Sequence, residues 1–356
     1  MKRRPLILVI NPGSTSTKVA LFQGEKLRVE ETIRHEEKEI SSFSHIADQY
    51  LMRKQAVEEF LKRNKISAKD LNAVVGRGGL LKPLSAGTYR VNEEMLKDLR
   101  EAKRGEHASN LGAIIAREIA DESGAEAYIV DPVSVDEFSP LARISGLAEI
   151  ERKSLLHALN MRATAIRGAK DLKKKLRNIN LVIVHLGGGI SIAPVEKGKF
   201  IDVNNANEGG PFSPERAGTL PTVELIKLCY SGKYTEKEML KKINGKGGFI
   251  SHLGTNDCRE IEERVNKGDE KASLIVEAMA YQIAKEIGAY VAVLKGKVDA
   301  IVITGGLANF KRLIDWIRQR VNWIAPVKIY PGEDEMQALA LGALRVIKGE
   351  EKAKEY

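Results

Sequence analysis

Two stretches, one in each half of the chain, share the same build. Each is an apolar run that breaks into a glycine turn and returns as a second apolar run. The first is residues 6–10, then Asn11-Pro12-Gly13-Ser14-Thr15-Ser16-Thr17-Lys18, then residues 19–22. The second is residues 181–186, then Gly187-Gly188-Gly189, then residues 190–195. Apolar, β-branched runs bounded by turn residues predict buried strands, and a short glycine-bearing break between two of them predicts a hairpin. Laid on one another, Gly188 falls on Gly13 and Ser191 on Ser16. A second pair follows in the same order. Asn72-Ala73-Val74-Val75-Gly76-Arg77-Gly78-Gly79-Leu80 matches Asp299-Ala300-Ile301-Val302-Ile303-Thr304-Gly305-Gly306-Leu307. A third, looser pair is the strand before Asp131 and the run 327–330 before Pro331-Gly332. Units that recur in order predict a duplicated architecture. The expectation is two similar α/β domains with a ligand between the two glycine hairpins, and extra residues in the second half between about 204 and 297.

The remaining elements are read from periodicity. Ile46, Tyr50, Leu51, Val57, Phe60 and Leu61 recur at helical spacing and predict a helix from about residue 45 to 64 with that face inward. Asn92 is placed to cap a short helix to about residue 102, and Ser109 or Asn110 to start another to about 123. A strand is expected over 127–130, a basic helix over 155–176, and a long helix over 269–294. That last helix carries Leu274, Ile275, Ala278, Met279, Ile283, Ile287 and Val291 on one face.

With 356 residues, 43% apolar and 29% charged, the chain can bury two ordinary cores. No apolar run approaches the roughly 18 residues that span a membrane, and the start Met1-Lys2-Arg3-Arg4 lacks a signal peptide's length and cleavage site. Cys229 and Cys258 stand alone in no metal spacing, which fits a reducing, cytoplasmic setting. The formal charge of +9 suits either nucleic acid or an anionic small substrate. Aromatics are only 5% and do not interleave with the basic runs at 170–177 and 241–242, so no stacking platform for nucleic acid is visible.

The first hairpin tip offers backbone N–H groups, the hydroxyls of Ser14 and Ser16 and the ammonium of Lys18, a composition suited to phosphate. A surface hairpin with a polar tip is the plain alternative. No Gly-x-x-x-x-Gly-Lys-Ser/Thr loop is present. Arg77, one arginine among small residues at a strand end, and Arg216, in a loop after Pro214-Glu215, carry guanidinium forks matched to carboxylate and phosphoryl oxygens. Either could instead be an ordinary salt-bridged loop arginine.

Together, Val9-Ile10-Asn11-Pro12-Gly13-Ser14-Thr15-Ser16-Thr17-Lys18, Gly76-Arg77-Gly78-Gly79, His185-Leu186-Gly187-Gly188-Gly189 and Thr304-Gly305-Gly306 resemble the acetate kinase family, within the superfamily of sugar kinases, actin and heat-shock chaperones. Arg152-Lys153-Ser154-Leu155-Leu156-His157-Ala158-Leu159-Asn160, Pro211-Phe212-Ser213-Pro214-Glu215-Arg216 and the run 330–339 are similar to its butyrate kinase branch. Gly187-Gly188-Gly189 stands where acetate kinases have Gly-Asn-Gly, and His157-Ala158-Leu159-Asn160 where they have His-Gly-Thr-Ser-His. Both departures point from acetate toward butyrate or a branched-chain acid.

The resemblance implies two duplicated actin-like, ribonuclease H-like domains flanking an active-site cleft. They would be residues 1–150 with 331–356, and residues 151–330. It implies ATP-dependent phosphorylation of a short carboxylate, with ATP/ADP and Mg2+ as cofactors, small molecules rather than nucleic acid or membrane as partners, and a homo-oligomer of at least two chains. Arg77, His157, Arg216 and Asp131 would be catalytic, and Arg77 and His107 would bind the acid. Ser14, Ser16, Lys18, Gly187, Gly188 and Gly189 would hold phosphates, Asn11 would orient the metal's water at the nucleotide, and Gly305 and Gly306 would approach the adenosine. Asp131 and Glu335 would hold the metal. Glu335 could equally be charge favoured by a helix N-terminus, and both histidines could be core residues. A sugar or alcohol kinase on the same fold would need an aspartate base, from Asp131 or Asp202. A nucleotide-driven chaperone or filament module is a third reading. Paired arginines without a clear aspartate base favour the carboxylate.

Overall fold

In the computed structural model, which describes residues 4–356, the first apolar run becomes the central strand of a sheet. Strand β1 (Leu6–Pro12) pairs antiparallel with β2 (Ser16–Gln23), with Pro12 opposite Thr17. β3 (Lys26–Arg34) extends the sheet beyond β2. The hairpin expected over residues 6–22 thus continues through a tight turn into a third strand. β4 (Ala73–Arg77) runs parallel to β1, β5 (Thr88–Arg90) pairs antiparallel with β6 (Glu126–Val130), and β6 runs parallel to β4. The order is β3-β2-β1-β4-β6-β5. These strands, with the helices Tyr50–Arg63, Asn110–Ser123 and Glu335–Ile347, form one compact unit made of the described residues up to Asp136 and of Asp334–Tyr356. Asn92 caps the helix Glu93–Arg100 by accepting the N–H of Met95 at 3.0 Å.

The second unit, Glu137–Glu333, is built on β7 (Asn180–Leu186), β8 (Ile190–Glu196), β9 (Lys199–Phe200), β10 (Ala300–Gly305) and β11 (Val327–Pro331). Its order is β11-β10-β7-β8-β9, with β7 antiparallel to β8 and parallel to β10. From β3 to β6 and from β9 to β11 the two sheets share one topology, as the duplicated motifs predict. The basic helix is shorter than expected, Ala158–Asp171. The extra residues of this half form the helices Thr222–Cys229, Glu236–Ile243, Gly248–Leu253 and Cys258–Asn266 and the long helix Glu270–Val293.

Register corrects the sequence alignment by one residue. Asn72 accepts the N–H of Leu6 on its side chain (2.7 Å) and returns its own N–H to the Leu6 carbonyl (2.8 Å). Asp299 does the same for Asn180, at 2.9 and 2.8 Å. Leu6 therefore corresponds to Asn180, Gly13 to Gly187, and Asn11 to His185. The second tip is one residue tighter, so Ser191, opposite His185, takes the place of Lys18, opposite Asn11, and not that of Ser16. A one-residue slip in a strand turns every side chain to the other face, so this correction decides which residues are comparable.

Two helical faces also differ from expectation. Leu51 is 54% exposed while Arg53 in the same helix is fully buried. Leu274 is 67% exposed, and the long helix buries Ala272, Val276, Met279, Ala280, Ile283, Ile287 and Tyr290.

Helix Asn110–Ser123 lies against β4 so closely that a Cβ on Gly76 would enter the Gly112 backbone, and one on Gly112 would enter the Arg77 backbone. This glycine pair seats the end of β4. Gly112→Ala should therefore lower stability by about 1–3 kcal/mol or more. Gly288→Ala, exposed in a helix with nothing near its Cβ, should be neutral or stabilising by up to about 1 kcal/mol. Denaturant midpoints of the two variants check the contrast.

Candidate functional site

In the first unit the site begins where β1 and β4 end side by side, with Ile10 opposite Gly76. Ligands of α/β sheets gather outside the carboxyl ends of such strands. Arg77 ends β4, and its Nη1 pairs with Oε1 of Glu335, the first residue of helix Glu335–Ile347. Oε2 of the same carboxylate accepts from Asn11 Nδ2 at 2.9 Å. The helix N-terminus favours the carboxylate's charge. Glu335 thus holds Arg77 and Asn11 in one network whose charged side chains stay partly open, 22% for Arg77 and 30% for Glu335.

His107 lies near this arginine. The N–H of Ser109 donates to its Nδ1 (3.2 Å), and the Ser109 hydroxyl lies 2.7 Å from the same nitrogen. Desolvation, and secondly the charge of Arg77, push its pKa below the usual histidine value, so the imidazole is neutral at pH 7. Ser14 and Thr15 stand exposed at the hairpin tip, which Gly13 closes by donating to the Ser16 carbonyl at 2.7 Å. Lys18 is less open than its position suggests, because its ammonium pairs with Glu30 on β3 at 2.8 Å.

In the second unit the tip Gly187-Gly188-Gly189 closes with the N–H of Gly187 on the Gly189 carbonyl, 3.1 Å. The segment around Arg216 is strapped onto it. The Ser213 hydroxyl donates to the Gly188 carbonyl and accepts the N–H of Arg216 (3.1 Å), while the Arg216 carbonyl accepts the N–H of Ser213 (3.0 Å). The Arg216 guanidinium rests on Gly189, where a Cβ would lie 2.6 Å from its Cζ. A side chain at this position would displace the guanidinium from the tip. Burial lowers the Arg216 pKa and Glu215 opposes the change; an arginine stays protonated in either case.

His157 precedes helix Ala158–Asp171 and places Nδ1 2.9 Å from Ser191 Oγ on β8. Its ring stacks on His185, with centroids 3.9 Å apart and planes at 11°. His185 is buried at the end of β7, with Nδ1 3.0 Å from Asn160 Oδ1 and Nε2 3.2 Å from Glu333 Oε1. His157, predicted through the resemblance, therefore stands on a platform that sequence reasoning did not assemble: His185, Ser191, Asn160 and Glu333. A histidine closing a buried strand was the available signal.

Asp131 is 2% exposed, and its Oδ1 accepts the N–H of Gly87 at 2.6 Å while its own N–H returns to the Gly87 carbonyl at 3.0 Å. It braces the segment beside β5. Asp202, the other aspartate considered as a base, is engaged by Arg152 at 2.8 Å and by the Val203 N–H at 2.7 Å. Gly305 has φ +93°, and a Cβ there would enter the Leu186 backbone, so backbone packing alone requires glycine. Gly306 faces open space. Among the described residues no group of three His, Cys, Asp or Glu is placed to hold a metal ion. Magnesium that arrives on nucleotide phosphates needs only one or two protein carboxylates and keeps several waters. The partly open Glu335 fits that demand.

Residues 152–321 match the model of the Acetokinase family. The fold is similar to that of acetate kinase from Porphyromonas gingivalis (19% identity, 96% of this chain and 100% of that one, TM-score 0.79). It is also similar to a propionate kinase from Francisella tularensis (19%, 95% and 98%, TM-score 0.74). A ROK-family transcriptional regulator homologous to the E. coli MLC protein is a more distant match (12%, 97% and 78%, TM-score 0.52). These likenesses establish the actin-like α/β fold with two sheets. No helix among the described residues is long and apolar enough to cross a membrane.

If Asp131 is the brace its bonds describe, Asp131→Ala should cost about 1–3 kcal/mol by leaving the Gly87 N–H without its acceptor. Asp131→Asn should keep most of the stability. Thermal melts separate this from a metal role, which would leave both variants equally stable.

Proposed function

We propose that the protein is an ATP-dependent carboxylate kinase, transferring the γ-phosphoryl group of ATP to a short acid to give acyl phosphate and ADP. The observation that carries this reading is an arginine seated at the carboxyl end of each sheet's central strands: Arg77 in the Glu335 network, Arg216 on Gly189. A carboxylate is already ionised at neutral pH, so its oxygen attacks phosphorus without a general base. What must be overcome is the repulsion of an anion approaching a polyanion, which is work for fixed cations. The engagement of Asp131 and Asp202 in bonds of their own disfavours an alcohol kinase, which would need one of them as a base.

In this reading Arg77 and the neutral His107 receive the carboxylate. Arg216 neutralises charge on the phosphoryl group in flight, and His157, oriented by Ser191 and the His185 ring, donates a hydrogen bond to it. Asn11, Ser14, Ser16, Lys18 and the 187–189 tip hold phosphates, and Gly306 lets the adenosine approach. Bound magnesium would screen the phosphate charge, with Glu335 the candidate contact on the protein side. Within carboxylate kinases we propose butyrate or a branched short-chain acid, on the strength of Gly188 and of Ala158-Leu159-Asn160. Acetate or propionate is the second reading. The family resemblance also supports a homo-oligomer.

Incubation with ATP, magnesium and acids of two to six carbons, with hydroxylamine to trap acyl phosphate, should give hydroxamate. Four- and five-carbon acids should lead, and no product from any acid would overturn the reading. Arg216→Ala should lower kcat by about 10³-fold or more with nucleotide affinity kept within a few-fold. Arg77→Ala should chiefly raise the KM for the acid. Turnover of Arg216→Ala within a few-fold of the parent would assign that arginine another role.

A further inference from the structure

Arg53 is the residue the proposed function leaves unused, and its setting is unusual. It lies in helix Tyr50–Arg63 and is 0% exposed, and among the described residues no carboxylate pairs with it. All its acceptors are neutral. Nη1 donates to the carbonyls of Gly13 and Ser16, both at 2.9 Å, with Thr17 Oγ1 at 3.2 Å. Nη2 donates to the Ser14 carbonyl (3.0 Å) and to Gln49 Oε1 (2.9 Å), and Nε to Gln49 Oε1 (3.2 Å). The neighbouring imidazole of His35, 2.8 Å from Thr17 Oγ1, is held below its usual pKa by burial first and by Arg53 second. A buried charge without a counter-ion is costly, yet here the chain directs one at a hairpin tip.

The geometry has a directional consequence. In a trans peptide the N–H points opposite to the preceding C=O. Drawing the Gly13 and Ser14 carbonyls inward therefore turns the N–H groups of Ser14 and Thr15 outward, where neither finds a protein acceptor among the described residues. Successive outward amides over a buried cation make an anion site.

Resting on the phosphate role given to this hairpin above, we propose that Arg53 is its positioning residue. It holds the tip so that the Ser14 and Thr15 amides meet phosphate oxygens, and its charge is balanced only when a polyphosphate is bound. Arg53 does not touch the ligand. A lysine would keep the charge and lose the fork, whereas glutamine would lose both.

The test is calorimetric titration of the full chain with inorganic tripolyphosphate, beside the kinetics. The parent should bind, and Ser14→Asp, which puts a negative charge on the exposed tip, should abolish binding and so locate it. Arg53→Lys should weaken binding about tenfold and Arg53→Gln about a hundredfold. The KM for MgATP should rise in step while the KM for the acid stays within twofold, a split that general loosening of the fold would not produce. If Arg53→Gln does not fold, Arg53→Lys decides alone. Parental affinity in a folded Arg53→Lys overturns the proposal. A parent that binds no tripolyphosphate overturns the phosphate reading of the hairpin itself, and the inference with it.

Discussion

Each sheet depends on how its two central parallel strands are clamped at their starts. Asn72 on Leu6, and Asp299 on Asn180, use one side-chain oxygen and one backbone N–H to fix the strands against each other. Parallel ladders are slightly weaker per residue than antiparallel ones, and a slip of one residue would exchange inward and outward side chains along the whole strand. With register fixed at one end, the chemistry at the other end is placed. Asn11 and Arg77 finish neighbouring strands of the first unit, and His185 and Thr304 those of the second.

At those carboxyl ends, close backbone approach does the arranging. The Gly76 and Gly112 backbones meet where β4 passes under its helix, Gly305 meets Leu186 at the end of β7, and Gly189 admits the Arg216 guanidinium. Glycines therefore serve two purposes in this molecule. Some, such as Gly112 and Gly305, are there for packing within the protein. Gly306, with open space at its Cβ position, leaves room for something else.

The charges follow a consistent plan. Arg77 is shared with Glu335, Arg216 is partly buried against a glycine tip beside Glu215, and Arg53 is wholly buried with neutral partners. Cations placed this way suit a reaction whose obstacle is repulsion between anions. The two aspartates considered as bases for a proton-abstracting kinase are committed to backbone and arginine partners instead.

Much of this was legible in the residues. Strands rich in β-branched residues, glycine turns and a motif order that recurs in the second half lead to two similar α/β sheets because they act locally: periodicity and turn chemistry need no knowledge of distant contacts. Arg77 stood out as one arginine among small residues at a strand end, and Arg216 as a loop arginine after Pro214-Glu215. The sequence could not show Arg53 turned inward, since a charged side chain on an amphipathic helix belongs by pattern on the wet face, as Leu51 belongs by pattern on the dry one. It could not show that Asp131 spends a carboxylate oxygen on Gly87, nor that His157 stacks on His185 and meets the Ser191 hydroxyl. Those depend on partners 44 and 34 residues away. The sequence by itself determined the two glycine hairpins and the order in which their motifs recur. Tertiary structure decided the exact register and the partner of each polar group, because a buried charge is satisfied only by atoms that folding brings to it.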